Sequence, residues 1–286
     1  MLAYRHAFHA GNHADVLKHL VLVTVLRHLN QKEKGWRLLD THAGAGGYAL
    51  SSPYAEKHRE HAEGIGRLWN VPAAELPAPL ADYVALVRSF NSGNTLAQYP
   101  GSPGFAHLLM RPQDQLRLYE LHPTDHRILD SYLGQTPGVE VHSGDGFAGL
   151  KAQLPPPTRR GAVLFDPPYE IKTDYARVLA AWREGLERFA EGVQMAWIPQ
   201  VQRVEASQLP QRLKASATRD AKKGWLHARL TVGGAQPDGF GMTGSHMVVA
   251  NPPHTLAPAL RACLPVLVER LGRDDRASWT VESAES

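Results

Sequence analysis

The chain has 286 residues, 43% of them hydrophobic and 21% charged, and its formal net charge is +3. This composition predicts one large core, alone or with a smaller satellite domain, and no low-complexity tract or block of like charge indicates a disordered tail. The single cysteine, Cys263, excludes an internal disulfide framework and a multi-cysteine zinc site, and makes the cytoplasm the expected compartment.

The N-terminal segment MLAYRHAFHAGNHADVLKHL predicts an irregular tail followed by a helix. Asn12, with Asp15 three residues later, is typical of a helix N-cap, and the apolar run at 20–26 is typical of a buried helical stripe. We therefore predict a helix over 13–33, ended by Gly35. The apolar run is too short to cross a bilayer, and no cleavage-site pattern follows it, so neither a membrane segment nor a signal peptide is expected.

Histidines are concentrated in this segment, which raises the alternative of a zinc site. His9 and His13 would share a helix face if the helix began early. Zinc ligands usually come with cysteines or carboxylates that complete the shell, and the nearby carboxylate, Asp15, is better used as a cap. No metal is therefore expected.

Seven strands are predicted in chain order. They are 36–40, 116–121, 139–142, 162–166, 193–198, 226–232 and 246–250. Helical patterns at 123–134 and 174–192 separate successive strands, which predicts a parallel α/β sheet with right-handed crossovers. No crossover helix is evident before the last strand, so we expect it to be antiparallel.

The interval between the first two strands is too long for an ordinary crossover. It contains amphipathic helical patterns near 54–69 and 80–91, followed by QYPGSPG at 98–104. We predict a small inserted helical subdomain beside the first strand, where it can help to form a cleft. The expected division is 1–49 for the N-terminal cover, first helix and start of the core, 50–105 for the insertion, and 106–286 for the rest of the core.

A glycine-rich turn, DTHAGAGGYA at 40–49, follows the first strand. Gly44, Gly46 and Ala49 match the G-x-G-x-x-G/A fingerprint, in which glycines let the backbone approach a nucleotide-like cofactor. A dinucleotide-binding unit needs an acid about 20 residues downstream. Here the acid that ends the second strand is Glu120, so a dinucleotide-dependent oxidoreductase is the weaker alternative.

The segment LFDPPYE at 164–170 closes the fourth strand, at the sheet edge where such folds bind ligands. The Asp166 carboxylate can accept an N–H from an exocyclic base amine and stabilise positive charge that develops on its nitrogen. Pro167 can aim a carbonyl at the second N–H, and Tyr169 can stack on the base. The similar NPPH at 251–254 lacks the aromatic residue and predicts a structural turn.

These segments together resemble the RlmJ family of large-subunit ribosomal RNA adenine-N6 methyltransferases, nearly end to end. The resemblance is carried by YRHAFHAGNHADVLKH (4–19), LDTHAGAG (39–46), YPGSP (99–103), ELHP (120–123), DGF (145–147), RRGAVLFDPPYE (159–170), KTDY (172–175) and GMTGSHMVVANPP (241–253).

The resemblance implies a Rossmann-like class I sheet of seven strands with a reversed last strand, an inserted helical subdomain, and S-adenosylmethionine as cofactor. It implies a cofactor pocket formed by His19, His42, Gly44, Gly46, Ser102, Glu120, Asp145, Gly146 and Asp166. It implies that Tyr4, His6 and Lys18 face the RNA or the catalytic pocket. The N-terminal segment is then an active-site cover.

The expected function is methyl transfer to the N6 amine of one adenine in 23S ribosomal RNA by direct in-line attack. Catalysis is assigned to Asp166, Pro167 and Tyr169. Lys18, Lys172 and the basic segment RDAKK at 219–223 are candidate phosphate contacts. The base must be unstacked, which favours RNA that is protein-free or early in assembly, and a monomer is expected. The alternatives are a DNA adenine-N6 methyltransferase and a catalytically inactive RNA-binding relative.

Overall fold

A computed structural model describes residues 6–51, 59–234 and 241–284. The strands are β1 (Arg37–Asp40), β2 (Gly47–Ala49), β3 (Gln98–Pro100), β4 (Gln115–Glu120), β5 (Val139–Ser143), β6 (Gly161–Phe165), β7 (Val193–Gln200), β8 (Trp225–Thr231), β9 (Gly244–Ala250) and β10 (Ser278–Ala284). The α-helices are α1 (His13–Asn30), α2 (Gly66–Trp69), α3 (Ala78–Ser89), α4 (Ser102–Leu109), α5 (Pro123–Leu133), α6 (Gly146–Gln153), α7 (Thr173–Arg188), α8 (Val204–Asp220) and α9 (Leu256–Leu271). Short 3-10 helices lie at His6–Phe8, Glu60–Glu63 and Ala73–Glu75.

The central sheet has the strand order β10-β8-β9-β7-β6-β1-β4-β5. β1 lies between β4 and β6, and these strands with β5 and β7 are parallel. β9 runs antiparallel to both of its neighbours, which confirms the reversed last strand of the seven predicted. The sheet is therefore the predicted α/β, doubly wound, Rossmann-like type.

The predicted strand count was wrong by one in this sheet, because β10 adds an eighth strand. It pairs antiparallel with β8 from Ser278↔Thr231 to Ala284↔Trp225. Its residues are partly exposed on both faces, so no clear apolar alternation marked the segment as a strand. A separate pair, β2 with β3, was also not predicted.

Several predicted helix limits differ from the structure. α1 ends at Asn30, before the predicted 33, and Gly35 is instead required by close packing, since a Cβ there would lie 2.3 Å from the Gln113 carbonyl oxygen. The described part of 54–69 forms two short helical turns rather than one helix, because the chain at Gly64 passes against the backbone of Gly11 and leaves no space for a Cβ.

A further difference concerns 98–104, for which the sequence analysis predicted no strand or helix. It forms β3 and begins α4, since Pro103 lies in the first turn of α4, where proline is tolerated. The division of the chain into a core and an inserted subdomain over 50–105 stays a prediction.

Helices cover both faces of the sheet, and the core lies between them. One apolar cluster includes Leu17 and Leu22 of α1 and Leu264 of α9, and the other includes Trp182 of α7 and Leu213 of α8. None of the described helices is long and apolar enough to cross a membrane. Because β1, β4, β5 and β6 are parallel, their final residues meet at one edge of the sheet, which is where ligands bind in such folds.

Candidate active site

A cavity of about 370 Å³ lies at the carboxyl edge of the sheet, within the size range of cofactor sites. It brings together eight of the nine predicted cofactor-site residues. These are His19, His42, Gly44, Ser102, Glu120, Asp145, Gly146 and Asp166. They come from six separate segments of the chain, so the fold gathers the residues that the resemblance had grouped.

The glycine turn forms the floor of this cavity. Gly44 has φ +61°, and its N–H donates to Oε2 of Glu120 at 2.8 Å. Gly46 is the predicted cofactor residue that does not line the cavity. It has φ +81°, and a Cβ there would lie 2.8 Å from Leu129, so this glycine is needed where the turn packs against α5.

Two carboxylates face the cavity from the ends of β4 and β5. Glu120 accepts the N–H groups of Gly44 and His122, and burial raises its pKa, against those two hydrogen bonds. Asp145 caps α6 through the N–H of Phe147 and forms an ion pair with Arg177. Sequence reasoning missed Arg177, which lies one turn inside α7 with no motif around it.

Two histidines line the same cavity, His19 buried and His42 half-buried, and removal from solvent favours the neutral form of both. Burial lowers the pKa of His42 to about 3 and that of His19 well below its usual value. Nδ1 of His19 lies 2.7 Å from the Tyr99 hydroxyl, which is 2.9 Å from that of Tyr83. Nε2 of His19 is buried and has no hydrogen-bond partner in the described structure.

Ser102 is held by a buried carboxyl that the sequence had not suggested as a site residue. Its hydroxyl donates to Oδ2 of Asp40 at 2.6 Å. Asp40 ends β1 and is fully buried, and burial raises its pKa to about 7 although the Ser102 hydrogen bond lowers it.

Asp166 follows β6 and lies at the end of a chain of charged groups from the N-terminal segment. Nζ of Lys18 is 2.6 Å from Oδ2 of Asp166 and 2.8 Å from Oδ1 of Asp15. Asp15 in turn is 2.9 Å from Nε2 of His6. Burial raises the pKa of Asp166, and the neighbouring Lys18 opposes that change. The N-terminal segment therefore contacts the D-P-P-Y turn directly.

A second cavity, about 240 Å³, lies on the other side of this charged pair. It shares His6, Lys18, Asp166 and Pro168 with the first cavity, so the two meet at Asp166. Its aromatic walls are Tyr169, Tyr175 and Trp197.

Tyr169 has φ +53° and is almost fully buried. Its hydroxyl donates to the Trp197 carbonyl at 2.6 Å, and its ring centroid is 4.6 Å from that of Tyr175. Sequence reasoning had placed Trp197 only in a buried strand. The signal available was a tryptophan near the carboxyl end of β7, the neighbour of β6.

The remaining predicted residues lie at varied distances from this centre. Pro167 is buried in the turn, and Lys172 is exposed and 3.5 Å from Glu205. The segment 219–223 spans the end of α8, at the opposite edge of the sheet, where Arg219 pairs with Asp220. Tyr4 lies outside the described residues. Among the described residues, no group of three or more histidine, cysteine or acidic side chains could hold a metal ion.

The NPPH turn is structural, as predicted. Asn251 has φ +51°, and its side chain donates to the carbonyls of Ala190 and Gly192 and accepts the N–H of Lys223. It lies at the edge opposite Asp166, because β9 runs in the reverse direction.

The first cavity suits a sulfonium nucleoside such as S-adenosylmethionine. Its acids, Glu120, Asp125 and Asp145 among them, favour a cation and can accept hydroxyl and amine protons. The unpaired Nε2 of His19 can bond a polar ligand atom. A Cβ at Gly146 would lie 2.1 Å from the Thr41 carbonyl oxygen, so the chain is packed close at the cavity wall.

A doubly wound sheet with a reversed strand is typical of the Rossmann-like class I methyltransferases, and here a D-P-P-Y carboxylate lies between two cavities. A family profile described as "Ribosomal RNA large subunit methyltransferase D, RlmJ" matches residues 33–284. The chain belongs to the RlmJ family.

Known proteins match this chain over nearly its full length. The Ribosomal RNA large subunit methyltransferase J of Haemophilus influenzae is 46% identical over 283 residues, which cover 99% of this chain and 98% of that protein. The protein of the same name from Escherichia coli is 46% identical over 95% of this chain and 94% of its own length. A crystal structure of a Legionella pneumophila protein, 33% identical, superposes with a TM-score of 0.86 over 96% of this chain and 98% of its own.

Proposed function

We propose that this protein transfers the methyl group of S-adenosylmethionine to the N6 amine of one adenine in 23S ribosomal RNA. The observation that carries the proposal is the position of Asp166 where two cavities meet. One cavity has the acids and glycine turn suited to the cofactor, and the other has aromatic walls suited to a base. The methyl group of a bound cofactor and the N6 amine of a bound adenine would then approach each other beside the Asp166 carboxylate.

The cofactor-binding roles follow from the donors and acceptors in the first cavity. Glu120 retains lone pairs for ribose hydroxyls after it accepts two backbone N–H groups. Asp145 can accept from an adenine amine beside its Arg177 contact. His19 and Ser102, which line the same cavity, would hold the polar amino-acid end of the cofactor. When bound, S-adenosylmethionine supplies an electrophilic methyl group for a direct in-line transfer.

Asp166 performs the electrostatic work of the transfer. Its carboxylate accepts one N–H of the target amine and stabilises the positive charge that develops on nitrogen during attack. The carbonyl of Pro167 is proposed to accept the second N–H, which fixes the amine plane. Asp166 then takes the surplus proton, directly or through water, and its raised pKa suits it to that task.

The second cavity is proposed to hold the adenine. Its aromatic side chains give a sequence-independent stacking surface, and Tyr169 and Trp197 are the candidates. A base in a duplex cannot reach this depth, so the RNA must present the adenine unstacked. Protein-free or early-assembly RNA meets that requirement more easily than the finished subunit. We propose that His6, Lys18, Tyr4 and Lys172 contact this RNA, and that a cytoplasmic monomer acts.

The experiment follows labelled methyl from S-adenosylmethionine into protein-free large-subunit RNA, assembled large subunits and duplex DNA. The protein variants are the wild type, Asp166→Ala, and Asp82→Ala as a half-exposed carboxylate control on α3. We expect label in N6-methyladenosine of the protein-free RNA, and its loss by about 100-fold or more only in Asp166→Ala, with cofactor affinity within a few-fold. Label only in DNA would overturn the substrate, and full turnover in Asp166→Ala would overturn the mechanism.

A further inference from the structure

A third cavity, about 460 Å³, adjoins the second one. The two share Pro199, near the end of β7, and Val201, just after it, so they adjoin each other along this part of the chain. β7 and β8 end here and β9 begins here, which places the third cavity at the same edge of the sheet as Asp166. A chain that inserted a base into the second cavity would continue into the third.

The charges that line the two outer cavities are opposite in sign. Six acidic side chains face the proposed cofactor cavity. The described lining of the third cavity contains no acid, and two arginines face it, Arg229 and Arg276. An anion is therefore favoured in the third cavity and a cation in the first.

Arg229 lies in the middle of β8, opposite His246 of β9 and Thr280 of β10. Its side chain is half-buried, and its Nε is buried without a hydrogen-bond partner in the described structure. The described residues give it no carboxylate partner within ion-pair distance. A buried guanidinium N–H without an acceptor is costly, and a guanidinium fork matches the geometry of a phosphate.

Arg276 reaches the same cavity from the turn before β10. It is exposed, and the described residues give its guanidinium no ion pair either. By contrast, Arg177 beside the cofactor cavity is paired with Asp145, and Lys172 with Glu205. The two arginines therefore face one space, and among the described residues neither forms an ion pair, although Asp274 interacts with Arg276 over a longer distance.

We propose that the third cavity binds the phosphodiester backbone adjacent to the target adenosine, with Arg229 and Arg276 as its phosphate ligands. This proposal rests on the proposed RNA function and deepens it. The phosphate contact would fix the register of the strand, so that the neighbouring base falls into the aromatic cavity. Backbone contacts of this kind position a nucleic acid without reading its sequence.

The first test measures RNA binding as a function of salt with Arg229→Gln, Arg276→Gln and Arg261→Gln. Arg261 is an exposed arginine early in α9, toward the opposite edge of the sheet, and is the matched control. The probe is an unmodified transcript of large-subunit ribosomal RNA. We expect each cavity variant to bind roughly three- to tenfold more weakly and to lower the salt slope by about one, as loss of one phosphate contact requires. The control should match the wild type, and cofactor affinity should not change in any variant.

The second test identifies the phosphate. A series of short oligoribonucleotides is made, each of which contains the unmodified target adenosine. Each carries a single neutral methylphosphonate linkage at a different position. At one linkage beside the target, the neutral substitution should weaken binding to the wild type but not further weaken binding to Arg229→Gln. The phosphate site would be overturned if the two losses of binding, from the neutral linkage and from Arg229→Gln, added fully at every linkage. It would also be overturned if Arg229→Gln and Arg261→Gln bound RNA equally well. In both cases RNA methylation by the wild type would persist. A wild type that neither binds nor methylates RNA would overturn the proposed function itself.

Discussion

The ammonium group of Lys18 lies between two carboxylates, 2.6 Å from Asp166 and 2.8 Å from Asp15. All three side chains are almost removed from solvent, with 4%, 11% and 1% exposure respectively. One buried cation therefore joins α1 to the D-P-P-Y turn and holds the proposed catalytic carboxylate in place. Burial alone would lower the pKa of Lys18, but the ion pairs with Asp15 and Asp166 outweigh it and raise that pKa.

Loss of this cation should destabilise the fold. Lys18→Met keeps the length of the side chain but leaves Asp15 and Asp166 buried without their counter-ion, and we expect a loss of about 3–5 kcal/mol in the free energy of unfolding. Chemical denaturation measures it. Arg27→Met is the control, because it breaks the more exposed Arg27–Asp82 pair and should cost no more than about 1 kcal/mol. Equal losses of unfolding free energy in the two variants would show that the buried Asp15–Lys18–Asp166 group stabilises the fold no more than an exposed ion pair does.

A chain of hydroxyls should set the proton position of His19. We expect Tyr99 to donate to Nδ1, which leaves an Nε2–H directed to the cofactor cavity. Tyr99→Phe removes that donor, and S-adenosylmethionine affinity measured by calorimetry should fall about five- to tenfold. Tyr83→Phe keeps the Tyr99–His19 contact and should change affinity less than about twofold.

The nitrogen chemical shifts of the His19 ring give a second readout of the same prediction. In the wild type they should show a proton on Nε2, and in Tyr99→Phe a mixture of tautomers. A wild-type ring protonated on Nδ1 would contradict the proposed direction of the hydrogen bond.

Local sequence signals located the parts of the site that depend on short segments. The apolar strand before D-P-P-Y placed Asp166 at a strand end, and Asn12 does cap α1, since it accepts the N–H groups of Ala14 and Asp15. The glycine turn was located in the same way, because positive φ at Gly44 is required within the turn itself. Such features are set by residues a few positions apart.

Other parts of the site depend on contacts that no short segment encodes. Trp197 meets Tyr169 only because β7 lies beside β6, and Arg229 faces the third cavity only because β8 and β9 pair in a particular register. β10 escaped prediction because an edge strand needs no continuous apolar face. These side chains become neighbours through long-range packing, which one sequence does not reveal.

Gly144, directly after β5, and Gly146, the first residue of α6, should respond differently to alanine. A Cβ at Gly146 would lie 2.1 Å from the Thr41 carbonyl oxygen, so the loop must shift away from β1. We expect Gly146→Ala to lower the free energy of unfolding by about 2–4 kcal/mol and to weaken cofactor binding at least tenfold. A Cβ at Gly144 meets nothing within 4 Å, so Gly144→Ala should stay within about 1 kcal/mol of the wild type. Denaturation and calorimetry on both variants test this, and a tolerated Gly146→Ala would contradict it.

The buried carboxyl of Asp40 should make the fold less stable as pH rises. Burial raises its pKa to about 7 from the ordinary 3.8. Between these values the unfolded chain has lost this proton while the folded chain keeps it, so the free energy of unfolding falls with increasing pH, by at most about 1.4 kcal/mol per pH unit. Above pH 7 the contribution is constant.

Asp40→Asn cannot ionise and lacks this slope. The free energy of unfolding of the wild type minus that of Asp40→Asn should therefore decrease as the pH rises from about 5 to about 7 and then level off. The buried neutral histidines, whose stabilisation is lost toward acid pH, are present in both proteins and cancel in the difference. Denaturant titrations at a series of pH values measure it. A difference that stays constant with pH would show that Asp40 is ionised in the folded protein throughout this range, and one that grows would equally contradict the raised pKa.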